Sequence, residues 1–472
     1  MPDLAGSSAA GLLAALDRGE TTSVALARRL LDLCEQHRHL AAFHYLEPDD
    51  VLAAAAVADA RRAAGIRLPL LGLPLAIKDN INSAGIPTTA GTPLLDGHRP
   101  RVDAPVLRRL LDQGAILLGK TSMHELAFGI TGNNTHRGPA RNPFDPNRIP
   151  GGSSGGTAIA VALGMAPAGL GSDTGGSVRI PAALCGIVGL RPTTGRYPGA
   201  GVVPISGTRD TVGPMARTVA DTMLLDQAIT GEAPERREVP VAGIRLGLPD
   251  RFFFDDLDHD LATLIHGAIE RLRSMGATIV PVDIGAMGKL YAAAGPAITL
   301  YETIPAIEAY LAENGLPLRF IDIARGAASP DVSRILLALT GDGAISPDAY
   351  RQAMSTDRPA MQAIYGALFA RHRLDGMVFP ATPLPAVPIG ADAITVNGKN
   401  LPTFETFIRN SGPGSVCGVP GISLPCGRTP AGLPVGLAID GPAFSDRHLL
   451  AVAAAIETIV AGAPGWQRQG TG

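Results

Sequence analysis

The stretch that decides the fold is residues 151–186, which read GGSSGGTAIAVALGMAPAGLGSDTGGSVRIPAALCG. Ten of these 36 residues are glycine, against 57 of 472 in the whole chain. Serines lie inside two glycine clusters, at 151–156 and 175–177, and the small apolar run at 157–168 predicts a buried helix between them. Glycine permits a positive φ and a close approach to the main chain. Two such turns would hold serine hydroxyls and backbone N–H groups together, as acyl-transfer chemistry requires.

Simpler interpretations of this stretch stay open at this point. Glycine and serine are also the residues of ordinary tight turns. Residues 152–156 fit the G-x-S-x-G nucleophile elbow, but that motif needs a strand before it and PNRIP at 146–150 is a poor strand. Residues 114–121, GAILLGKT, fit the P-loop pattern, but AILL predicts a short buried strand rather than a phosphate-binding loop.

A resemblance to a known family extends over the stretch and beyond it. The runs GGSSGG, GSDTGGS and RIPAALCGIVGLRPTTGR resemble the amidase signature family, whose members use a Ser–Ser–Lys triad without histidine. The family's lysine precedes Asp-Asn after an apolar run, as in PLAIKDN at 74–80. The spacings also match, with 75 residues from Lys78 to Ser153 and 24 from Ser153 to Ser177. The resemblance runs from about residue 10 to 460 and implies an α/β fold. That fold is a single compact domain with a central mixed, twisted β-sheet covered by helices on both faces.

The resemblance implies a catalytic role for each residue of this triad. Ser177 is the nucleophile, Ser153 relays its proton and follows a cis peptide bond, and Lys78 is the terminal base. Lys78 must then be neutral, although an unperturbed lysine has a pKa of ~10.4, and burial in an apolar strand would lower that value. Taken alone, the local sequence favours a surface lysine or an ion pair with Asp79. The matched spacing is what favours the base.

The residues around Ser177 resemble the family's oxyanion hole. The predicted donors are the successive backbone N–H groups of Thr174, Gly175, Gly176 and Ser177. One such donor is typically worth ~2.7–4 kcal/mol in the transition state. We expect Asp173 to order this loop rather than to react, and Ser154 to be a structural hydroxyl that bonds to nearby backbone.

Residues upstream of the relay serine occupy the position where the family lines its substrate site. The predicted substrate-binding residues are Phe128, Gly129, Ile130, Thr131 and Ile180, and the alternative for the apolar ones is that they are simply core. Amidotransferase A subunits usually carry glutamine where this chain has Ile180, and an acidic side chain in the segment that here reads RNSGPGS at 409–415. The absence of a carboxylate there disfavours a substrate that carries an ammonium group.

The segments HELAFGITGNN, RPTTGR and PGSVCGVPGISLP are similar to those of indoleacetamide and mandelamide hydrolases. This implies an amidohydrolase that cleaves the C–N bond of a small primary amide through a seryl acyl-enzyme. An arylacetamide such as indole-3-acetamide or mandelamide is the implied substrate. The alternative is the A subunit of a glutamine-dependent aminoacyl-tRNA amidotransferase, which depends on a partner. A third alternative is an α/β-hydrolase, which would need a catalytic histidine.

Composition excludes several classes of function. Hydrophobic residues make up 46% of the chain and the formal net charge is −3, without a long basic run, so neither nucleic acid nor an anionic membrane is favoured as a partner. The four cysteines form no C-x-x-C pair, which suits a reducing compartment. No signal pattern, bilayer-length apolar run or H-E-x-x-H motif occurs. We expect a cytoplasmic enzyme without metal or cofactor that acts on a small-molecule amide, with a homodimer left open.

Helical runs alternate with short apolar runs, as in an α/β chain. We expect one domain over 1–472, made of N-terminal helices (1–65), a core with the signature (66–285), a helical covering region (286–375) and C-terminal strands with a helix (376–472). The predicted helices outside the covering region and the glycine-rich stretch are 7–17, 22–37, 49–64, 103–113, 258–275 and 446–461. The predicted strands are 71–77, 115–118, 187–190, 244–248, 278–282, 376–380, 421–424 and 435–439.

Overall fold

The computed structural model describes residues 6–233 and 239–462. Its strands are β1 Phe43–Tyr45, β2 Pro74–Lys78, β3 Ile116–Thr121, β4 Ala168–Asp173, β5 Val188–Arg191, β6 Thr211–Ala216, β7 Arg245–Pro249, β8 Thr278–Val282, β9 Gly376–Pro380, β10 Ala393–Val396, β11 Lys399–Pro402, β12 Gly421–Arg428 and β13 Pro434–Asp440. Its α-helices are α1 Ala9–Asp17, α2 Ser23–Gln36, α3 Pro48–Ala63, α4 Pro105–Asp112, α5 Gly155–Ala162, α6 Arg179–Cys185, α7 Val219–Thr230, α8 His259–Ser274, α9 Met287–Glu313, α10 Phe320–Gly326, α11 Pro330–Ala338, α12 Pro347–Gln352, α13 Arg358–His372, α14 Thr403–Ile408, α15 Gly412–Cys417 and α16 Asp446–Ala461.

One large mixed sheet organises the molecule. The strand order is β1-β3-β2-β4-β6-β5-β12-β13-β9-β7-β8, and β10 pairs with β11 in a separate hairpin. The β3-β2-β4 and β9-β7-β8 neighbours are parallel, and the other neighbouring pairs are antiparallel. The mixed sheet predicted from the resemblance is therefore confirmed.

Strand β2 shows how the two faces of the sheet are covered. Ala76 packs in a core cluster with residues of α2, α3 and α5, whereas Leu75 and Ile77 pack in another with residues of α1, α4 and α7. Successive side chains of a strand point to opposite faces. Lys78, two residues after Ala76, therefore lies on the α5 face, next to the glycine-rich turn that precedes this helix.

Local signals place several helix starts correctly. The side chains of Thr22 and Asp258 accept hydrogen bonds from the backbone N–H groups of Ala25 and Leu261, and so cap α2 and α8. The third helix begins one residue before the predicted residue 49. Helix α3 begins at Pro48, because proline suits the first helical position, and no side chain caps it.

The helix predicted at 157–168 is observed only in its first half. Helix α5 runs from Gly155 to Ala162, and the chain then returns as the buried strand β4, Ala168–Asp173. Strand β4 and its partner β6 were not predicted, because AGLGSD carries glycine and polar residues in place of an alternating apolar pattern. These two unpredicted strands lie in the middle of the sheet, beside the predicted triad.

The covering region packs on the C-terminal half of the sheet. Met287 and Ala294 of α9 and Tyr365 of α13 share a core cluster with Phe379 of β9 and Ala438 of β13. The boundaries predicted for the four parts of the domain stay predictions. In the part of the chain that the structure describes, no helix is both long enough and apolar enough to cross a bilayer.

Candidate active site

Lys78 lies at the end of β2 with its amine fully buried. Its Nζ atom is 2.7 Å from Ser153 Oγ and 2.8 Å from Ser172 Oγ. Burial lowers the pKa of Lys78 to about 7, although Asp173 and Asp210 attract the charged form and oppose that change. The surface position suggested by the local sequence is therefore wrong, and an amine that is neutral above pH 7 contacts the predicted relay serine.

The alternative ion pair between Lys78 and Asp79 is also not observed. Asp79 is instead 3.5 Å from Nζ of the buried Lys120 and 3.2 Å from Nδ1 of His44. Lys120 belongs to the P-loop-like run, which forms strand β3 as expected, and it donates to the carbonyl oxygen of Ile81 at 2.8 Å. This pair holds the turn after Lys78 in place and leaves the Lys78 amine facing the serines.

Glycines make the turn around Ser153 possible. The Gly152–Ser153 peptide bond is cis, as the resemblance implies, and Gly151 has φ +81°. A Cβ on Gly152 would lie 2.8 Å from the backbone nitrogen of Gly132, so segment 130–132 packs directly against this turn. Glycine is required here because neither backbone can move away.

Asp173 organises the loop that carries Ser177, as expected. Its carboxylate accepts hydrogen bonds from the backbone N–H groups of Gly176 at 2.8 Å and Val178 at 3.2 Å. It also pairs with the buried Arg179 and Arg191. Burial alone would raise the pKa of Asp173, but the two guanidinium groups hold it well below its usual range.

One predicted oxyanion donor, the Gly176 N–H group, already has an acceptor within the protein. The Gly176 N–H group is directed at Asp173 Oδ1, so it is not free to meet a substrate oxygen in this structure. The reason is the turn itself, because Gly176 adopts φ +138° and faces back towards the carboxylate. The side chain of Thr174 donates to Asp210 at 2.5 Å, which holds that residue in place. Donation to a substrate oxygen by the N–H groups of Thr174, Gly175, Gly176 and Ser177 stays a prediction.

The serine next to the relay, Ser154, is held by backbone contacts. Its N–H group donates to the carbonyl oxygen of Ser177 at 3.1 Å, and its Oγ atom bonds to both Ser172 O and Ser172 N at 3.2 Å. This agrees with the structural role expected for Ser154. Ser177 itself is 7% exposed, so little of it is open to solvent.

The predicted apolar walls are all buried. Phe128 packs with Val203, Ile205 and residues of α9, whereas Ile130 and Ile180 share a second cluster with Phe407. Core packing, the alternative interpretation of these side chains, is therefore observed, and their contact with substrate stays a prediction. Gly129 has a clear packing role, because a Cβ there would lie within 2.4 Å of the His124 ring.

Thr131 is tied to that same histidine. Its hydroxyl lies 3.2 Å from Nδ1 of His124, whose Nε2 atom is 3.1 Å from Asp331. His124 is thus a buried histidine whose two ring nitrogens both have partners. Among residues 6–233 and 239–462, no group of three or more histidine, cysteine or acidic side chains is placed to hold a metal ion.

Two polar residues of the site, Ser172 and Asn80, were not predicted from the sequence. Asn80 donates to Ser172 Oγ at 3.0 Å, and that oxygen is also one of the two hydroxyls that contact Lys78. Both residues line a small cavity, together with Ala127, Thr174, Gly199, Val202, Val203, Ile205, Asp210, Thr211 and Val212. The available signal was the serine of GSDTGGS, which interrupts an otherwise small and apolar strand.

Residues from two distant segments, around residue 209 and at 408–411, also meet beside the nucleophile loop. Ile408 of α14 and Arg209 approach the position that a Cβ would occupy on Gly175, and Ser411 Oγ donates to the Gly175 carbonyl oxygen at 2.6 Å. No local pattern in the sequence predicted these contacts.

Tyr291 of α9 reaches the same region. Its ring and hydroxyl approach the position that a Cβ would occupy on Gly412, the residue after Ser411. Burial raises the pKa of Tyr291, and Glu405, an exposed carboxylate of α14, is near enough to add to that increase. Helices α9 and α14 therefore both contribute side chains beside the nucleophile loop.

Comparison with known proteins agrees with this geometry. A sequence profile of the Amidase family matches residues 25–450, and the chain belongs to that family, the amidase signature enzymes. It is therefore a hydrolase that acts on amide C–N bonds.

Three curated relatives match the chain over most of its length. The chain is 42% identical over 446 residues to an indoleacetamide hydrolase of Rhizobium radiobacter, covering 94% of this chain and 95% of that protein. It is 42% identical over 424 residues to a mandelamide hydrolase of Pseudomonas putida, with 86% and 82% covered. The A subunit of the glutamyl-tRNA(Gln) amidotransferase of Chloroflexus aurantiacus is 37% identical over 470 residues, with 94% and 95% covered.

The fold is also that of a solved amidase. The native peptide amidase of Stenotrophomonas maltophilia superposes with a TM-score of 0.83 at 34% identity, covering 96% of each chain. The single α/β domain expected from the resemblance is thereby confirmed.

Proposed function

We propose that the protein is a serine amidase that converts small primary amides with an aryl or other apolar acyl group, such as arylacetamides, to a carboxylate and ammonia. The observation that carries the proposal is the 2.7 Å contact between the buried amine of Lys78 and Ser153 Oγ. It is supported by the similarity to an indoleacetamide and a mandelamide hydrolase.

In this proposal Ser177 Oγ attacks the carbonyl carbon of the amide. Its proton passes to Ser153, while the proton of Ser153 passes to neutral Lys78. The proton returns by the same path to the leaving nitrogen, so the C–N bond breaks, ammonia departs and an ester on Ser177 remains. Water then attacks this ester with the same relay as base, which releases the carboxylate and restores the serine.

The substrate class is tested by kcat/KM of the purified chain for indole-3-acetamide, phenylacetamide, mandelamide, glutamine and asparagine. We expect the arylacetamides to be preferred and ammonia release to need no partner. Ser177→Ala should abolish turnover in a folded protein, whereas His136→Gln, at an exposed histidine bonded to Asp96, should keep it. Near-normal turnover by folded Ser177→Ala would contradict the triad.

The covalent step has a separate test. Because the proposed intermediate is an ester on Ser177, hydroxylamine should intercept it and yield a hydroxamate. Mass spectrometry of enzyme quenched during turnover should show the acyl adduct on the peptide that carries Ser177. Absence of both products during normal turnover would favour direct attack by water.

The amidotransferase component remains the second candidate, because the match to such a protein extends over 94% of this chain. It would bring glutamine to the same serine and pass ammonia to a partner. Preference for glutamine, or ammonia release only in the presence of a partner protein, would replace the first proposal.

A further inference from the structure

Arg209 is a buried cation that pairs with no carboxylate among residues 6–233 and 239–462. The residue is 3% exposed, and its Nη1 atom donates only to neutral oxygens, the carbonyl of Gly295 at 2.9 Å and the hydroxyl of Thr299. Its Nε atom has no hydrogen-bond partner in the described residues. The Nη2 atom makes no hydrogen bond to the described residues either, so this donor is available to an acceptor that arrives from outside the protein.

The free side of this guanidinium faces the nucleophile loop. Nη2 lies 3.5 Å from the position that a Cβ would take on Gly175, two residues before Ser177. Residue 209 precedes β6, whose Thr211 pairs with Asp173 at the end of β4, where the nucleophile loop begins. A group bound by Nη2 would therefore lie close to the carbonyl that Ser177 attacks.

A second donor lies beside it. The hydroxyl of Tyr291 lies over Gly412, the neighbour of Ser411, which bonds to Gly175. No hydrogen bond of this hydroxyl occurs within residues 6–233 and 239–462. Tyr291 and Arg209 are also close enough for each to influence the pKa of the other, in addition to the larger effect of burial on both. Two donors that meet no acceptor in the described part of the chain thus converge on one side of the nucleophile loop.

The charges around Arg209 do not supply the missing acceptor. Asp210 directs one oxygen at Thr174 and the other at the backbone N–H groups of Ile205 and Ser206. Burial lowers the pKa of Arg209, Tyr291, Asp210 and Asp173 oppose that change, and Arg358 adds a smaller decrease. Because both carboxylates are already bonded to other groups, the donor that faces the loop is the guanidinium, which binds an oxygen acceptor and not an ammonium group.

We propose that Arg209, assisted by Tyr291, is a specificity-determining residue that binds an oxygen acceptor on the carbon next to the scissile carbonyl. This rests on the proposed function and narrows its substrate class to 2-hydroxy or 2-oxo arylacetamides. An unsubstituted arylacetamide would enter the same site and leave both donors unpaired, so it would be a poorer substrate.

The test uses three amides that differ only at that carbon: phenylacetamide with hydrogen, mandelamide with a hydroxyl, and 2-phenylpropanamide with a methyl group of similar size. We expect wild-type kcat/KM to be highest for mandelamide. Arg209→Met should lower the ratio of kcat/KM for mandelamide to kcat/KM for 2-phenylpropanamide by about 10- to 100-fold, as loss of a charged hydrogen bond predicts. Tyr291→Phe should lower the same ratio by a smaller factor.

The matched control is Arg271→Met, an arginine that, like Arg209, bonds to neutral oxygens, in this case the backbone carbonyls of Ile459 and Val460 on α16. Arg271→Met should leave the ratios of kcat/KM between the three amides at their wild-type values. Because Arg209 also braces α9, Arg209→Met risks misfolding, and Arg209→Lys with Tyr291→Phe then carry the test. A general structural defect would lower kcat/KM for all three substrates in proportion and leave the ratio of mandelamide to 2-phenylpropanamide unchanged.

Two outcomes would overturn the inference, and they are distinguishable. If wild-type enzyme hydrolyses the amides, but folded Arg209 and Tyr291 variants keep the wild-type ratio of kcat/KM for mandelamide to 2-phenylpropanamide, only the specificity role of Arg209 is wrong. If wild-type enzyme hydrolyses none of the three while it hydrolyses glutamine, the proposed function fails as well.

Discussion

At the scale of single residues, the central feature is a lysine kept neutral by burial. Lys78 is enclosed at the end of β2, and the only hydrogen-bond partners of Nζ within the described residues are Ser153 and Ser172. Desolvation disfavours the ammonium form, and the carboxylates of Asp173 and Asp210 offset only part of this cost. Asp79 is paired with Lys120 and His44, so it does not stabilise the ammonium form of Lys78.

This leads to a prediction about pH. Since burial lowers the pKa of Lys78 to about 7, the neutral amine predominates above that pH and is lost below it. We expect kcat/KM to rise with pH through about 7 and to fall about tenfold per pH unit on the acid side. The measurement is kcat/KM from about pH 5.5 to 9, with circular dichroism at each pH as the control for folding. An activity maximum below about pH 5 in a folded enzyme would contradict it.

At the scale of elements, helix α5 is seated by glycine. A Cβ on Gly156, in its first turn, would lie 2.3 Å from the carbonyl oxygen of Ala42 and 2.5 Å from the backbone nitrogen of Ser122. Because both neighbours are backbone atoms, the helix could accommodate a side chain only by moving away from β1 and β3. Such a movement would also displace the turn that carries Ser153.

A pair of glycine-to-alanine variants tests this seating. Gly156→Ala should destabilise the protein by about 1–3 kcal/mol, the usual range for overpacking, and should reduce activity. Gly366→Ala is the matched control, because Gly366 is exposed on helix α13 and nothing lies within 4 Å of its Cβ position. It should stabilise by about 0.5–1 kcal/mol through helix propensity. Thermal and urea midpoints measure both, and equal shifts would argue against close packing at Gly156.

At the scale of the whole molecule, buried charges connect the covering helices to the nucleophile loop. The hydroxyl of Tyr365 on α13 donates to Asp440 Oδ2 at 2.9 Å, and Asp440 Oδ1 lies 3.6 Å from Arg179. Arg179 in turn bonds to Asp173, which holds Gly176. The covering region and the loop of Ser177 are therefore parts of one buried polar network.

Removing the first link tests that connection. Tyr365→Phe leaves the buried Asp440 without its hydroxyl donor, so we expect a loss of about 1–3 kcal/mol in the free energy of unfolding. We also expect a fall in kcat, since the network ends at the nucleophile loop. Tyr301→Phe serves as control, because Tyr301 stacks on Tyr350 and its hydroxyl bonds to no described residue. If Tyr365→Phe destabilised the protein and left kcat unchanged, the network would be structural only.

Much of this molecule follows from local sequence. Thr22 and Asp258 indicate helix starts because a cap acts within three residues, and the apolar runs of β2 and β9 indicate buried strands for the same local reason. The glycine-serine pattern and the lysine at matched spacing were sufficient to predict the family and to select Lys78 and Ser153, which lie in contact.

What only the tertiary structure decided is which distant side chains meet. Strand β4 is stable because β2 and β6 supply its hydrogen bonds, not because AGLGSD favours a strand. Ser172 therefore stands out as a polar residue in the sequence, but its contact with Lys78, 94 residues away, does not follow from local sequence. The commitment of Gly176 N–H to Asp173 depends on a backbone angle that glycine permits but does not dictate. Arg209, Tyr291 and Ser411 converge because the sheet, α9 and the turn before α15 pack together. Residue types along a chain determine local conformation and burial, whereas distances between remote side chains are set by packing.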